Sequence, residues 1–179
     1  MIKPIDVVGL WREAGPEKWF AKSAKFDQRI ALRFEPSHHA AARGEHDGWM
    51  ATPDGALALL ILLDQFPRNL FRDSAHAFAT DGKALGIAKH AIGEGFDAQV
   101  ELELRPFVYM PLMHSENLGD QDASVVLFDA LGAKTNLDYA NLHRDVIQRF
   151  GRFPHRNVLL GRKTTPEEQA FLDAGGFAG

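Results

Sequence analysis

Two strings hold most of the residues from which a reactive site could be assembled: "DQFPRN" at 64–69 and "RFGRFPHRN" at 149–157. A third, "YMPLMHSEN" at 109–117, supplies a histidine, a serine and a glutamate in succession. Arg68, Arg152 and Arg156 offer planar forks of N–H donors that match a phosphate or carboxylate. His155 and Asn157 add donors on the same constrained turn, so these five residues are the expected ligand-binding set. His114 is suited to general acid–base work, with Glu116 as a carboxylate able to orient it. Asp64 completes an expected catalytic set of His114, Glu116 and Asp64, either as a base or by orienting an arginine.

The same residues fit a purely structural role. Leu57, Leu60, Ile61 and Asp64 share one helix face, and a buried carboxylate without a partner costs several kcal/mol, roughly, through desolvation. Asp64 therefore requires a cation or a set of donors. Pro67, expected to end the helix just beyond it, brings Arg68 and Asn69 around, while Arg152 and Arg156 are the other candidates. Arg149 is expected to pair with Asp145, four residues earlier, on a solvated face. His143, four residues before Ile147, reads as a core-edge histidine. Ser115 beside His114 is no nucleophile signature, since catalytic partners meet in space and no strained elbow motif surrounds it.

Bulk properties narrow the function classes. The 179 residues are 45% hydrophobic and 25% charged, with net charge −4 and no cysteine. That charge argues against a general grip on nucleic acid. Without cysteine there is no disulfide, zinc-thiolate site, iron–sulfur cluster or cysteine nucleophile, and the composition fits the cytoplasm. No metal motif and no glycine-rich phosphate loop is present, so neither a metal nor a cofactor is expected. The longest apolar run, Ala56–Leu63, falls far short of the roughly 20 residues needed to span a bilayer. The N-terminal stretch "MIKPIDVVGLWREAG" does not read as a signal peptide, and no membrane partner is expected.

Helical spacing and caps run through the sequence, and no segment alternates as a strand would. Helix signals include Pro4 before Gly15, and Phe26, Ile30 and Phe34 spaced by four until Pro36, which is expected to interrupt. Thr52–Pro53 opens the most apolar helix. Further helices end near Gly93 or Gly95, at Gly132 and at Gly151, while Pro106 and Pro111 predict a kink or two short helices. Thr165 with Glu168 forms a capping box. The expectation is all-α: a single domain, 1–179, arranged as an antiparallel array of about eight helices.

The combination of DQFPRN, HSE and FGRFPHRN, with "ATPDGALALLILLDQFPRNLFR" at 51–72 and "RFGRFPHRNVLLGRKTTPEEQAFL" at 149–172, resembles bacterial domain-of-unknown-function family 924 along nearly the whole chain. That resemblance implies a tetratricopeptide-like helical fold and no known activity. Three readings stay open. The first is an interhelical Arg/His pocket for a small anionic molecule, phosphate or carboxylate, with or without acid–base chemistry. The second is a tetratricopeptide-like module for a protein or peptide partner. The third is a charge network that only fixes helix packing. The residues single out no reaction class.

Overall fold

The structure, a computed structural model, describes residues 2–177. Every regular element among them is helical, as the sequence pattern predicts, and none of these helices is long and apolar enough to cross a membrane. The chain divides into two compact units, 1–111 and 112–179.

The first unit holds α1 (Pro4–Ala14), α2 (Pro16–Trp19), α3 (Ala24–Ala42), α4 (Pro53–Leu60), α5 (Phe66–Leu70) and α6 (Asp81–Gly93), and the boundary falls inside α7 (Pro106–Met113). The expected caps hold: the Thr52 side chain accepts from Gly55 N at the start of α4, and Gly95, at φ 67°, lies in the left-handed region just past α6. Pro36 does not interrupt α3, which runs on to Ala42. The N–H that Pro36 lacks would have bonded Leu32. Both residues are exposed, so water can satisfy that carbonyl and the helix continues.

Pro67 is buried, and its effect is different. It does not end the chain's helical course; it lies in the first turn of α5. The N–H it lacks would have bonded the carbonyl of Leu63, where no water reaches. A π-turn, Ile61–Gln65, joins α4 to α5, with Phe66 N–H reaching back to Ile61 O. Side chains from three elements then take the loosened carbonyls. His38 Nδ1 bonds Leu62 O at 2.8 Å, Thr80 Oγ1 donates to Leu63 O at 2.5 Å, and Arg68 Nη1 donates to Asp64 O. A carbonyl only accepts, so His38 carries its proton on Nδ1. Around this turn, Trp11 packs edge-on against Phe66 at 5.8 Å and Phe107 at 5.3 Å.

The second unit contains α8 (Leu118–Leu131), α9 (Lys134–Phe150) and α10 (Pro166–Asp173). Asn117 caps α8 through Gly119 N and Asp120 N. Gly132, left-handed at φ 71°, turns the chain into α9, and Asp122 meeting Arg144 shows that the two helices run antiparallel. Ala140, His143, Val146 and Ile147 form the buried stripe of α9. Val146, Ile147 and Phe153 make a core to which Phe150, Phe171 and Phe177 add partly buried rings.

Replacing Thr80 by Val keeps the shape and removes the donor to Leu63. The orphaned carbonyl should cost about 1–3 kcal/mol, read as a lower urea midpoint with unchanged slope. An unchanged midpoint would mean that the π-turn does not depend on this hydroxyl.

Candidate functional site

Asp64 and Arg68 lie in the first unit. Asp64 is fully buried. Arg68 Nη1 stands 3.4 Å from its carboxylate and also engages Asp81 Oδ1 at 3.1 Å. Burial works against the charge on Arg68, but Asp64 and Asp81 outweigh it and hold the guanidinium charged. Asn69 and Arg72 converge on Asp27 of α3 at 2.8 and 2.7 Å. The string "DQFPRNLFR" thus braces the π-turn against α3 and the start of α6.

The other six expected residues lie in the second unit. Gly151, left-handed at φ 69°, stops α9 and donates to Ile147 O. Phe153 is then buried, and Pro154 opens a 3-10 turn, Pro154–Arg156. A chain of charge-assisted bonds holds this turn. Glu116 accepts from Phe153 N at 2.7 Å and takes Arg162 on both oxygens at 2.7 and 2.9 Å. Arg162 continues to Asn157 Oδ1 at 2.9 Å and to Phe153 O at 3.0 Å. Asn157 Nδ2 donates to Glu168 at 3.2 Å. Glu168 closes the chain by binding Arg152 on both oxygens at 2.6 and 2.8 Å and by accepting from Thr165 N at 2.7 Å.

Both glutamates are therefore carboxylates. Burial pushes Glu116 up, but Arg162 and the Phe153 N–H hold it below its ordinary range. Glu168 is held at about 2, chiefly by its bond to Arg152. Arg149 pairs with Glu167 at 3.2 Å and lies over Phe150 and Phe171 at 4.7 and 5.6 Å. This corrects the expected pairing with Asp145: the aromatic rings and the incoming α10 offer the guanidinium both a face and a charge.

A cluster of imidazoles adjoins this network. His143 and His155 flank the Phe153 ring at 5.5 and 5.6 Å, and His114 lies 6.2 Å from His143. Arg156 sits 4.4 Å over the same Phe153 ring and donates to His114 O at 3.2 Å. His143 bonds Tyr139 O through Nδ1 at 2.7 Å, which places its proton there and the lone pair on Nε2. Burial, then repulsion from His114, Arg156 and His155, pushes its pKa to about 3 despite that bond. Ser115 donates to Asp120 at 2.7 Å, a loop role. Among the described residues, no group of three or more histidine or acidic side chains is arranged to hold a metal.

Sequence reasoning passed over Arg162, Thr80, His38 and Phe177. The capping box at Thr165 and Glu168 was legible, but the same glutamate's second duty toward Arg152 and Asn157 arises only once α10 returns to the turn.

The family model described as "Bacterial protein of unknown function (DUF924)" matches residues 7–176. A solved structure, the protein of unknown function ATU0120 from Agrobacterium tumefaciens, is 48% identical, with a TM-score of 0.93, over 96% of this chain and 97% of that one. No curated protein matches the sequence.

His143 and Glu168 are among the groups that make stability pH-dependent, and both signs agree. His143 is depressed from 6.5 to about 3, so the unfolded chain binds its proton first, and stability falls as pH drops from 6.5 toward 3. Glu168, depressed from 4.5 to about 2, adds a further loss as pH falls from 4.5 toward 2. Urea midpoints measured against pH should show His143→Gln flattening the upper part of the decline and Glu168→Gln the lower part. Parallel profiles for wild type and both variants would contradict these assignments.

Proposed function

We propose a function from this chain's own geometry, because it belongs to the bacterial family DUF924, whose description assigns none: the second unit binds a small anion, phosphate or carboxylate, at His114, His155 and Arg156. The observation that carries this reading is the cluster itself. Two imidazoles, His143 and His155, and the Arg156 guanidinium gather on the buried Phe153 ring, with His114 6.2 Å from His143, and His114, Arg156 and His155 each push the pKa of His143 down. An arginine fork beside imidazole N–H groups suits oxygen ligands.

Arg152, Asn157 and Glu116 then serve the site indirectly. Their bonds with Arg162 and Glu168 fix the turn that carries His155 and Arg156. Asp64 and Arg68 brace the π-turn of the first unit, and in this reading they touch no ligand. His114 is the residue placed to exchange a proton with a bound acid.

Titrating inorganic phosphate and citrate into the protein by calorimetry should give saturable binding and a higher melting temperature. Arg156→Gln should weaken binding by about tenfold, equivalent to roughly 1.4 kcal/mol, and His155→Gln should weaken it in the same direction. Arg149→Gln, at the exposed pair with Glu167, should leave it unchanged. Absence of saturable binding to the wild type overturns the proposal. Selective capture of an acidic peptide by a chain that ignores both ions would support the tetratricopeptide-like interaction module instead.

A further inference from the structure

The segment after α10 lays an aromatic ring against this histidine cluster. Phe177 lies 4.3 Å from His143, 5.2 Å from His155 and 6.2 Å from Phe153, centroid to centroid. It is only partly buried, whereas Phe153 is fully so. We propose that Phe177 is a displaceable cover over His143 and His155, which must swing aside before a ligand reaches them. This rests on the anion-binding reading for its purpose, though not for its geometry.

The local backbone suits such a cover. Gly175 lies in the left-handed region at φ 77°. Gly176 sits so close under the Phe171 ring that a Cβ there would come within 2.5 Å of it. The amides of Gly175 and Gly176 are anchored to Leu172 O and Phe171 O at 3.0 and 2.9 Å. Among the described residues, Phe177 N makes no backbone hydrogen bond. The backbone is anchored at Gly175 and Gly176, and the Phe177 ring packs on His143, His155 and Phe153.

The contacts themselves favour reversibility. Phe177 meets the imidazoles through ring faces and edges, which are weakly directional. Lifting the ring away leaves no donor or acceptor of its own unsatisfied. His143 keeps its bond to Tyr139 O whether or not the cover is in place.

Diethylpyrocarbonate, which acylates unprotonated imidazole, reads this exposure directly. The full chain is treated as wild type and as Phe177→Ala, and each histidine is followed by peptide mass spectrometry. The exposed His90 of the first unit serves as the internal reference. Removing the ring should raise the rates at His143 and His155 by about fivefold or more relative to His90, as expected when a local opening step is abolished. Unchanged ratios overturn the cover. So does equal acceleration at every histidine, which would mean general loosening. A phosphate titration of both proteins separates the two proposals. Faster acylation with no phosphate binding to either protein keeps the cover and defeats the anion reading. Phosphate binding to both with unchanged acylation ratios keeps the anion reading and defeats the cover.

Discussion

A buried proline in a largely buried helical run sets the terms for the first unit. Pro67 deletes the N–H that Leu63 needs, and the interior offers no water in its place. The chain answers with a π-turn, and the turn loosens successive carbonyls at Leu62, Leu63 and Asp64. Each is taken by a side chain: His38 from α3, Thr80 from just before α6, and Arg68 from α5. One missing hydrogen thus specifies where three elements must stand. Arg68 arrives charged, so Asp64 and Asp81 are needed beside it. The polar content of the DQFPRN string follows from the backbone fault in its middle.

The second unit solves a different problem with similar means. The segment between α9 and α10 closes tight turns through its own backbone, from Arg156 N to Phe153 O through to Arg162 N to Asn157 O, and side chains take further polar groups such as Phe153 N. Glu116, Arg162, Asn157, Glu168 and Arg152 form a linear relay of alternating acceptors and donors. Such a relay adds little net stability, because each buried charge gives up its hydration. What it supplies is uniqueness: each member has its partner in only one arrangement of the turn. The cluster of His114, His155 and Arg156 inherits its geometry from that relay.

The helices were legible because their signals are local. Thr52 and Thr165 cap their own helices, and Gly132 and Gly151 stop theirs through left-handed backbone, all within a few residues. The prolines were not legible, because their effect depends on which side of the helix faces water. Pro36 and Pro67 carry the same local rule and opposite outcomes, one solvated and one buried. Charge partners failed for a related reason. Arg149 has an acid four residues before it, yet Glu167 and two aromatic rings reach it from α10, and Glu116 finds Arg162 across 46 positions. Side-chain type says that a partner is needed; only the tertiary fold says which one.

The echo between the two Phe-Pro strings has a physical reading. In each, a fully buried phenylalanine precedes a proline in the first turn of a short helical element: Phe66–Pro67 at the start of α5, and Phe153–Pro154 at the start of the 3-10 turn. In each, an arginine returns to a backbone carbonyl, Arg68 to Asp64 and Arg156 to His114. In each, an asparagine donates to a carboxylate on another element, Asn69 to Asp27 and Asn157 to Glu168. The shared part is a way of anchoring a tight turn, and it needs no common ancestry of the halves. The difference lies in what surrounds the arginine. Arg68 is neutralised in place by Asp64 and Asp81, which makes the first string a lock. Arg156 lies over the Phe153 ring that His143 and His155 also pack against, and that is the setting in which we propose that an anion binds.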